Sequence, residues 1–439
     1  MNRHRIRPLL LTLALLSPPA AGETLDVDSA VRRALAENPT LRARRQALGI
    51  AEGRSRQAGL LPNPELEIER PAEKGRDLEL RLGFDATSLL LRKGRTEAAA
   101  KDLAAAKAGI DSAAIELEFE VREAFHTLED ADRRLALTRD ALDAAAAARE
   151  MAEALLAAGN TSALPAKAAI AEHESLHLAE RDAEVSRTMA LERLTRLTGL
   201  DAPLVEELAE AGDLPETPEI PASAVSRAVA GSFAVASAQR SLEAATLRAR
   251  LTRREGRLPD TSVFVVSSRS GGEPEAHGSP STGGSAWTWG GGVSVRIPVF
   301  DRKQGDVAGR EAEAVSLRSE IDALSRAVAS ETREAEHHTA SAHARARHLR
   351  DVVLPARRAV LEETLLHYNA MQIGLFPLVA ARRSVIDAEL LESAALRDYR
   401  IAAARLAALV AGGRPGRGPD TTAMASLSGN DANGANGGH

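Results

Sequence analysis

One uninterrupted helical stretch constrains this chain more than any other sequence feature. Between Gly94 and Ala158 there is no proline and a single interior glycine, Gly109. Large apolar residues recur there at seven-residue intervals with one four-residue shift, at Leu103, Ile110, Leu117, Val121, Leu128, Leu135 and Leu142. Such a heptad pattern with a stutter is typical of a coiled coil that unwinds locally. At 1.5 Å per residue the stretch predicts a helical rod about 98 Å long.

The composition fits long helices that pack side by side. Of 439 residues 44% are hydrophobic, but only seven Phe, two Trp and two Tyr are available to fill a thick core. The net charge of −6 disfavours a nucleic-acid-binding protein. The absence of Cys excludes disulfides, thiolate metal sites, a Cys nucleophile and a lipid-bearing N-terminal Cys.

The N-terminus has the features of a secretory signal. Arg3, Arg5 and Arg7 precede the mainly apolar run Leu9–Leu16, and Ala20-Ala21-Gly22 supplies small residues for cleavage. The alternative, a membrane anchor, is disfavoured because the run is too short to cross about 30 Å of hydrocarbon. We therefore predict a signal peptide at residues 1–22 and an exported mature chain.

The mature chain contains the same pattern twice. Three pairs of segments resemble each other: Ser29–Leu48 and Ser223–Leu242, Gly59–Asn63 and Gly256–Asp260, Arg92–Gly94 and Arg302–Gly305. Each half is predicted to be a helix, two strands, a long helix that follows the Arg-Lys motif, a tip and a returning helix. The expected repeats are residues 23–212 and 213–412, and the Gly- and Asn-rich residues 413–439 are expected to form a disordered tail.

Two glycine-containing segments are predicted to be the turns at the helix tips. They are Gly159-Asn160-Thr161 and Ile373-Gly374-Leu375, with glycine permitting the tight turn. Thr161 or Ser162 can cap the returning helix, and Pro165 and Pro377 fit its first turn. Pro355 predicts a kink in the second long helix.

The predicted strands alternate between apolar and polar residues. The apolar set is Leu66, Ile68, Leu78, Leu80, Leu82, Trp287, Trp289, Val293 and Val295. The charged set is Glu65, Glu67, Glu69, Glu79, Arg81 and Arg296. Alternation with period two indicates strands whose two faces meet different surroundings. A membrane barrel with a lipid-facing apolar surface and a wet lumen fits this pattern, and a half-buried soluble sheet gives the same alternation. Segment Thr261–Ser268 alternates less clearly, and its faces stay unassigned.

Strand number then predicts an oligomer. Each chain offers only four strands, which cannot close a barrel, and open sheet edges are excluded from lipid. Three chains would close a 12-stranded barrel and would bring the long helices into one tube. Segments Arg70–Arg76 and Arg269–Ser285 would be the loops at the outer surface.

Several segments together resemble the TolC-type outer-membrane efflux proteins. They are GLLPNPELEIE (59–69), GVSVRIPVFDRKQG (292–305), AAGNTSALPA (157–166) and QIGLFPLVAARR (372–383). The resemblance implies a mixed α and β membrane protein, namely a homotrimeric barrel in outer-membrane lipid, continuous with an α-helical periplasmic barrel. It also implies a passive, cofactor-free exit duct that works with a periplasmic adaptor and an inner-membrane RND-type transporter. The amino-acid sequences of the strand segments are most similar to those of the heavy-metal (cobalt–zinc–cadmium) branch.

One departure from that family concerns the gate. Relatives often carry acidic residues shortly after the second tip, where this chain has Pro377 and Ala380. Asp387 and Glu389 follow one to two turns later, so a cation-selective acidic gate is in doubt. In the family, opening is an iris-like untwisting of the inner helices that adaptor binding favours.

Two histidine groups suggest metal chemistry at first sight. His173-Glu174-Ser175-Leu176-His177 matches the zincin pattern H-E-x-x-H, and a periplasmic zinc metalloprotease is the alternative function. No metzincin continuation follows, so we expect a solvated helical pair and no catalytic or resident metal site. His337, His338, His343 and His348 are spaced so that they scatter around one helix. A periplasmic coiled-coil adaptor is a third class, but the duplicated strands argue against it.

Overall fold

The structure is a computed structural model that describes residues 25–70, 78–199, 212–269 and 287–416. The predicted signal peptide, nearly all of the two predicted outer loops and the tail from residue 417 onward lie outside the described residues. Residues 413–416 were assigned to the tail but are ordered. Arg414 is buried there and holds both carboxylate oxygens of Glu331 through its Nε and Nη2 atoms, at 2.8 and 2.5 Å.

The described chain contains nine α-helices, one π-helical turn and four strands. The helices are α1 (Val27–Glu37), α2 (Pro39–Ala58), α3 (Thr87–Ala157), α4 (Ala163–Thr198), α5 (Ala224–Gly231), α6 (Phe233–Glu255), α7 (Gln304–His348), α8 (Leu354–Asn369) and α9 (Leu375–Val410). The strands are β1 (Glu65–Glu69), β2 (Leu78–Asp85), β3 (Asp260–Arg269) and β4 (Trp287–Arg296). Their order agrees with the predicted sequence of elements in both halves. Among the described residues, none of the helices combines the length and apolar character needed to cross a membrane.

The first helix of each half is divided into two, where the sequence analysis expected one. Asn38 and Ser232 begin α2 and α6 at equivalent positions of the repeat. The Asn38 side chain accepts a hydrogen bond from Leu41 N at 3.1 Å, and the Ser232 hydroxyl accepts one from Val235 N at 3.3 Å. Both residue types favour helix N-caps because they satisfy a free backbone N–H. The break is therefore encoded locally and is itself duplicated.

The long helix α3 begins earlier than predicted. The motif Arg92-Lys93-Gly94 lies inside α3 rather than before it, because Asp85 caps the helix at Thr87. Asp85 Oδ1 accepts hydrogen bonds from the backbone N–H groups of Thr87 and Ser88 at 2.9 and 3.2 Å. In the second half α7 begins at Gln304, directly after the corresponding Arg-Lys pair.

The predicted irregularity at Pro355 takes the form of a π-helical turn. Residues Leu349–Val353 form this turn immediately before α8, and Leu354 N donates to Leu349 O. Proline cannot donate a hydrogen bond, and its ring crowds the preceding turn. The wider π turn accommodates it within an otherwise continuous helical segment.

The four strands form one antiparallel sheet in the order β1-β2-β3-β4. The pairing joins the hairpins of the two halves, because β2 pairs with β3 from Leu78–Arg269 to Asp85–Ser262. Within the described chain, β1 and β4 each have one strand neighbour, so both edges of the sheet are open.

The chain divides into two compact units. The sheet unit contains the sheet and, of the described residues, 38–70, 78–120, 216–269, 287–346 and 398–416. The tip unit contains both helix tips and residues 25–37, 121–199, 212–215 and 347–397. Each unit draws segments from both sequence repeats.

Both units have thin, alanine-rich cores. The tip unit has a cluster of Leu137, Ala141, Ala145, Leu176 and Ile386. The sheet unit has a cluster of Ala224, Ala335, Leu406 and Leu409. Of the predicted heptad positions, Leu117, Val121, Leu128 and Leu135 are buried. Small side chains between the leucines allow helices to approach closely, as the composition indicated.

Candidate functional site

The strand register places every predicted apolar residue on one face of the sheet. Leu66 pairs with Leu82, which pairs with Val265, and Ile68 pairs with Leu80 in the next row. The same face continues through β4, where Trp287, Trp289, Val293 and Val295 pair with alternate residues of β3. The apolar face is largely solvent-accessible in the single chain, with Ile68 63% and Trp289 73% exposed. It is therefore an apolar surface that the described chain does not cover.

The opposite face carries every predicted charged residue. Glu67 pairs with Arg81, Glu69 lies opposite Glu79, and Asp260 lies opposite Arg296. The register also resolves β3, whose faces the sequence left unassigned. Val263 and Val265 belong to the apolar face, whereas Ser262, Phe264 and Val266 belong to the charged face.

A stack of three residues stabilises the centre of the charged face. The Arg81 guanidinium carbon lies 3.9 Å from the centroid of the Phe264 ring, a cation–π contact. Gly292 is paired with Phe264, and a Cβ at this glycine would lie 2.5 Å from the ring. The missing side chain thus makes room for the ring. Sequence reasoning missed this stack because its members come from three different strands.

The duplicated motifs meet at the junction between helices and sheet. Arg92 Nε donates a hydrogen bond to the carbonyl oxygen of Gly59 at 2.6 Å. In the second half, Gly256 lies so close to the Arg302 backbone that a Cβ would clash with its carbonyl oxygen. Thr87 joins the halves, because its hydroxyl donates to Pro259 O and accepts from Thr261 N at 3.0 and 2.7 Å.

The two helix tips turn by different means. At the first tip, Gly159 has φ of 73°, as a glycine-dependent turn requires. At the second tip the left-handed residue is Met371, with φ of 59°, so the role predicted for Gly374 is wrong. Ser162 occupies the cap position of α4 but makes no side-chain cap hydrogen bond. Gly159, Asn160 and Gly374 are exposed, Thr161, Ile373 and Leu375 are half-buried, and Met371 is 94% exposed.

Within the tip unit, charged pairs tie α9 to three neighbouring helices. Arg397 Nη1 donates to Asp130 Oδ2 of α3 at 2.7 Å, and the Ser393 hydroxyl donates to the other Asp130 oxygen at 2.7 Å. The Asp130 side chain is only 4% exposed. Arg383 pairs with Glu172 of α4 and with Asp387, and Arg358 of α8 pairs with Glu389 at 2.9 Å. Both acidic residues that follow the second tip are therefore paired with arginine.

The histidines do not converge on a metal site. His173 Nδ1 lies 3.4 Å from Arg149 Nη1 and 3.1 Å from Glu174 Oε1, while His177 is exposed. His343 is buried with its ring 5.2 Å from that of Tyr399, whereas His337, His338 and His348 are exposed. In the part of the chain that the structure describes, no three His, Asp or Glu side chains are arranged to hold a metal ion.

The chain is similar to known proteins in both sequence and fold. No protein-family model matches the chain. The cobalt-zinc-cadmium resistance protein CzcC of Cupriavidus metallidurans is 25% identical over 388 residues, which cover 85% of this chain and 87% of CzcC. The solved structure of CusC, studied for its transmembrane channel formation, matches with a TM-score of 0.70 at 18% identity over 91% of this chain and 96% of CusC. The outer-membrane channel CmeC of Campylobacter jejuni matches with a TM-score of 0.71 at 16% identity, covering 91% and 88% of the two chains.

The chain therefore has the fold of these solved membrane channels. In sequence it resembles a heavy-metal resistance protein, CzcC, over most of both chains.

Proposed function

We propose that this protein is the passive exit duct of a tripartite RND-type efflux system. The observation that carries the proposal is that apolar and charged residues lie on opposite faces of an open sheet, apart from one end row that carries Arg70 and Arg269. By register, the nine apolar positions expected to face lipid share one face, and the six charged positions expected to face the lumen share the other. The alternative, a zinc protease, lacks a third ligand among the described residues.

The open sheet edges support a homotrimer. A sheet edge in hydrocarbon leaves backbone N–H and C=O groups without partners, at a cost of several kcal/mol each. Pairing β4 of one chain with β1 of the next removes these edges, and three chains close a 12-stranded barrel. The long helices would then form the tube that crosses the periplasm.

The charged face would line the lumen. It carries six carboxylates, at Glu65, Glu67, Glu69, Glu79, Asp85 and Asp260, against the two guanidinium groups of Arg81 and Arg296. This excess of negative charge suits cations that leave the cell. Together with the similarity to a cobalt-zinc-cadmium resistance protein, it favours metal cations over other small toxic compounds as substrates.

The tips would form the periplasmic end, where the adaptor docks. Gly159–Thr161 and Ile373–Leu375 present both tips to a partner. The ion pairs of Arg397, Arg383 and Arg358 hold α9 against its neighbours. They would thereby favour a closed state. Adaptor binding would favour the state in which these links are released.

The natural absence of Cys allows a sharp test of the sheet faces. Glu67→Cys and Ile68→Cys place one thiol each on adjacent residues that face opposite ways. In vesicles containing the reconstituted protein, a charged, membrane-impermeant maleimide is expected to label Glu67→Cys and not Ile68→Cys. Arg296→Cys and Val295→Cys form a second matched pair at the other end of the sheet. Equal labelling within each pair would mean that no lipid covers the apolar face.

The trimer and the metal alternative are tested separately. We expect a trimer that resists SDS in unheated samples of outer-membrane fractions and becomes monomeric on boiling. A detergent-free monomer in aqueous buffer contradicts the proposal. Tight zinc at one ion per chain would instead support the protease.

A further inference from the structure

Two arginines lie at one end of the apolar face of the sheet, whose other polar residues are Thr261 and Ser267. Leu78 pairs with Arg269, and Arg269 pairs with Trp287, so these three residues form one row across the sheet. Arg70 directly follows Glu69, whose partner is Glu79. Alternation with period two therefore places Arg70 beside Leu78 in the same row, on the same face.

This row has the composition of a membrane–water interface. A guanidinium group is costly at the centre of the hydrocarbon layer and tolerable near its boundary. Trp287 lies in the row and Trp289 in the next one, which matches the aromatic girdle of membrane barrels. The Arg269 guanidinium carbon lies 5.9 Å from the Trp287 ring centroid, and both arginines are exposed.

The topology identifies which boundary this is. The row lies at the end of the strands where β1 leads toward β2 and β3 toward β4. At the opposite end the strands connect to helices, since β2 ends two residues before α3 begins. If the helices lie in the periplasm, as the proposed function holds, the row lies in the outer leaflet.

We propose that Arg70 and Arg269, flanked by Trp287 and Trp289, bind the phosphate groups of a phosphorylated lipid headgroup in the outer leaflet. Guanidinium groups bind phosphate through paired N–H donors. The two arginines are carried on backbones two strands apart, about 10 Å, so each can bind a separate phosphate of one headgroup. The indole rings supply the amphipathic contact with the adjoining sugar and acyl chains. The site rests on the proposed orientation of the sheet in the membrane.

The test is native mass spectrometry of the full-length protein released from detergent in the presence of lipid A, a diphosphorylated glycolipid. Wild type is expected to retain lipid A at one molecule per chain. Arg70→Gln/Arg269→Gln is expected to lower the apparent affinity at least about tenfold, since two charge-assisted contacts with phosphate are lost. The matched control Arg318→Gln/Arg326→Gln removes two exposed arginines of α7, away from the sheet, and should retain lipid A like wild type.

Further arms identify the source of the phosphate and the cause of any failure. If inorganic phosphate displaces lipid A at equal concentration, the site binds free anions and the proposal is overturned. Equal loss of lipid A in the control pair, or unchanged binding in the Arg70/Arg269 variant, would also overturn it. The single variant Arg70→Gln replaces the double variant if that one misfolds. It is expected to weaken the retention of lipid A and to keep the heat-stable oligomer. If Arg70→Gln/Arg269→Gln binds lipid A like wild type while Ile68→Cys stays protected from the maleimide, only this inference fails. If the maleimide labels Ile68→Cys, the proposed function itself fails.

Discussion

The Nε atom of Arg92 donates a hydrogen bond of 2.6 Å to the carbonyl oxygen of Gly59. Arg302 and Gly256 stand in close contact at the corresponding place in the second half. In each half the glycine follows the helix that precedes the two strands, and the arginine follows the second strand. The two short motifs that are duplicated in the sequence are thus the two sides of one contact, which sets where the strands leave the helices.

Gly256 is the most sensitive position of this junction. Gly256→Ala forces a methyl group into the Arg302 backbone, and we expect the free energy of unfolding to fall by about 1–3 kcal/mol. The measurement is the midpoint of thermal unfolding of the detergent-solubilised protein. Gly53→Ala is the matched control, because this helical glycine has open space around it and should gain about 0.5–1 kcal/mol. Equal midpoints for the two variants would refute the role of the contact.

The stack on the charged face predicts that a larger side chain at position 292 destabilises the sheet. Gly292→Val displaces the Phe264 ring and with it the Arg81 guanidinium, so we expect less heat-stable oligomer on unheated gels. Gly290→Val adds the same side chain to the same strand, where a Cβ has no neighbour within 4 Å. We expect Gly290→Val to be tolerated; comparable loss of oligomer in both would exclude the ring contact as the cause.

Glu116 in α3 predicts a pH dependence of stability. Burial raises the pKa of its carboxyl group, and the Ser112 hydroxyl, which donates to it at 2.9 Å, opposes this in part. A raised pKa in the folded state means that its contribution is fully present at low pH and is lost as the pH rises through the folded-state pKa. Glu116→Gln removes this loss and keeps an acceptor for Ser112.

We therefore expect Glu116→Gln to unfold at a higher temperature than wild type at pH 7, and the difference to vanish below about pH 4. Glu153→Gln, an exposed position in the same helix, should match wild type at both pH values. A difference for Glu116→Gln that does not depend on pH would contradict the explanation from burial.

The buried pair Asp130–Arg397 predicts a link between stability and conductance. Asp130→Ala leaves the Arg397 guanidinium without its carboxylate and should lower the free energy of unfolding by about 3 kcal/mol. Because the pair ties α9 to α3, we also expect larger single-channel conductance in planar bilayers without adaptor. Arg139→Gln, which breaks two ion pairs that both join α3 to α4, is the control. Wild-type conductance in Asp130→Ala would show that this pair does not hold the closed state.

The unequal tips predict opposite effects of exchanging their left-handed residues. Gly159→Ala puts a Cβ at φ of 73° and should cost about 1 kcal/mol, whereas Met371→Gly should relieve a similar strain at φ of 59°. Thermal unfolding measures both changes. Met371→Ala separates strain from side-chain contact, since it keeps the strained backbone and removes the exposed thioether. A stabilising effect of Gly159→Ala would be inconsistent with these turns.

Local patterns predicted the order of the elements well. The heptad spacing of α3, the alternation of β1 and the glycine and proline residues at the first tip are all properties of short segments. Local patterns did not predict the helix breaks at Asn38 and Ser232 or the early start of α3 at Thr87. The sequence does carry N-cap signals at these places, namely Asn38 before a proline, Ser232 after a glycine, and Asp85. The left-handed Met371 carries no such signal, because bulky residues rarely adopt positive φ.

The sequence by itself determined which residues share a face, because alternation along a strand follows from the geometry of one strand. It also determined the duplication and therefore the class of fold. Only the tertiary structure decided that β2 pairs with β3 across the two halves, that Gly292 makes room for Phe264, and that Arg397 meets Asp130. These contacts join residues that are far apart in the chain, and their register depends on the packing of all strands and helices together rather than on any local preference.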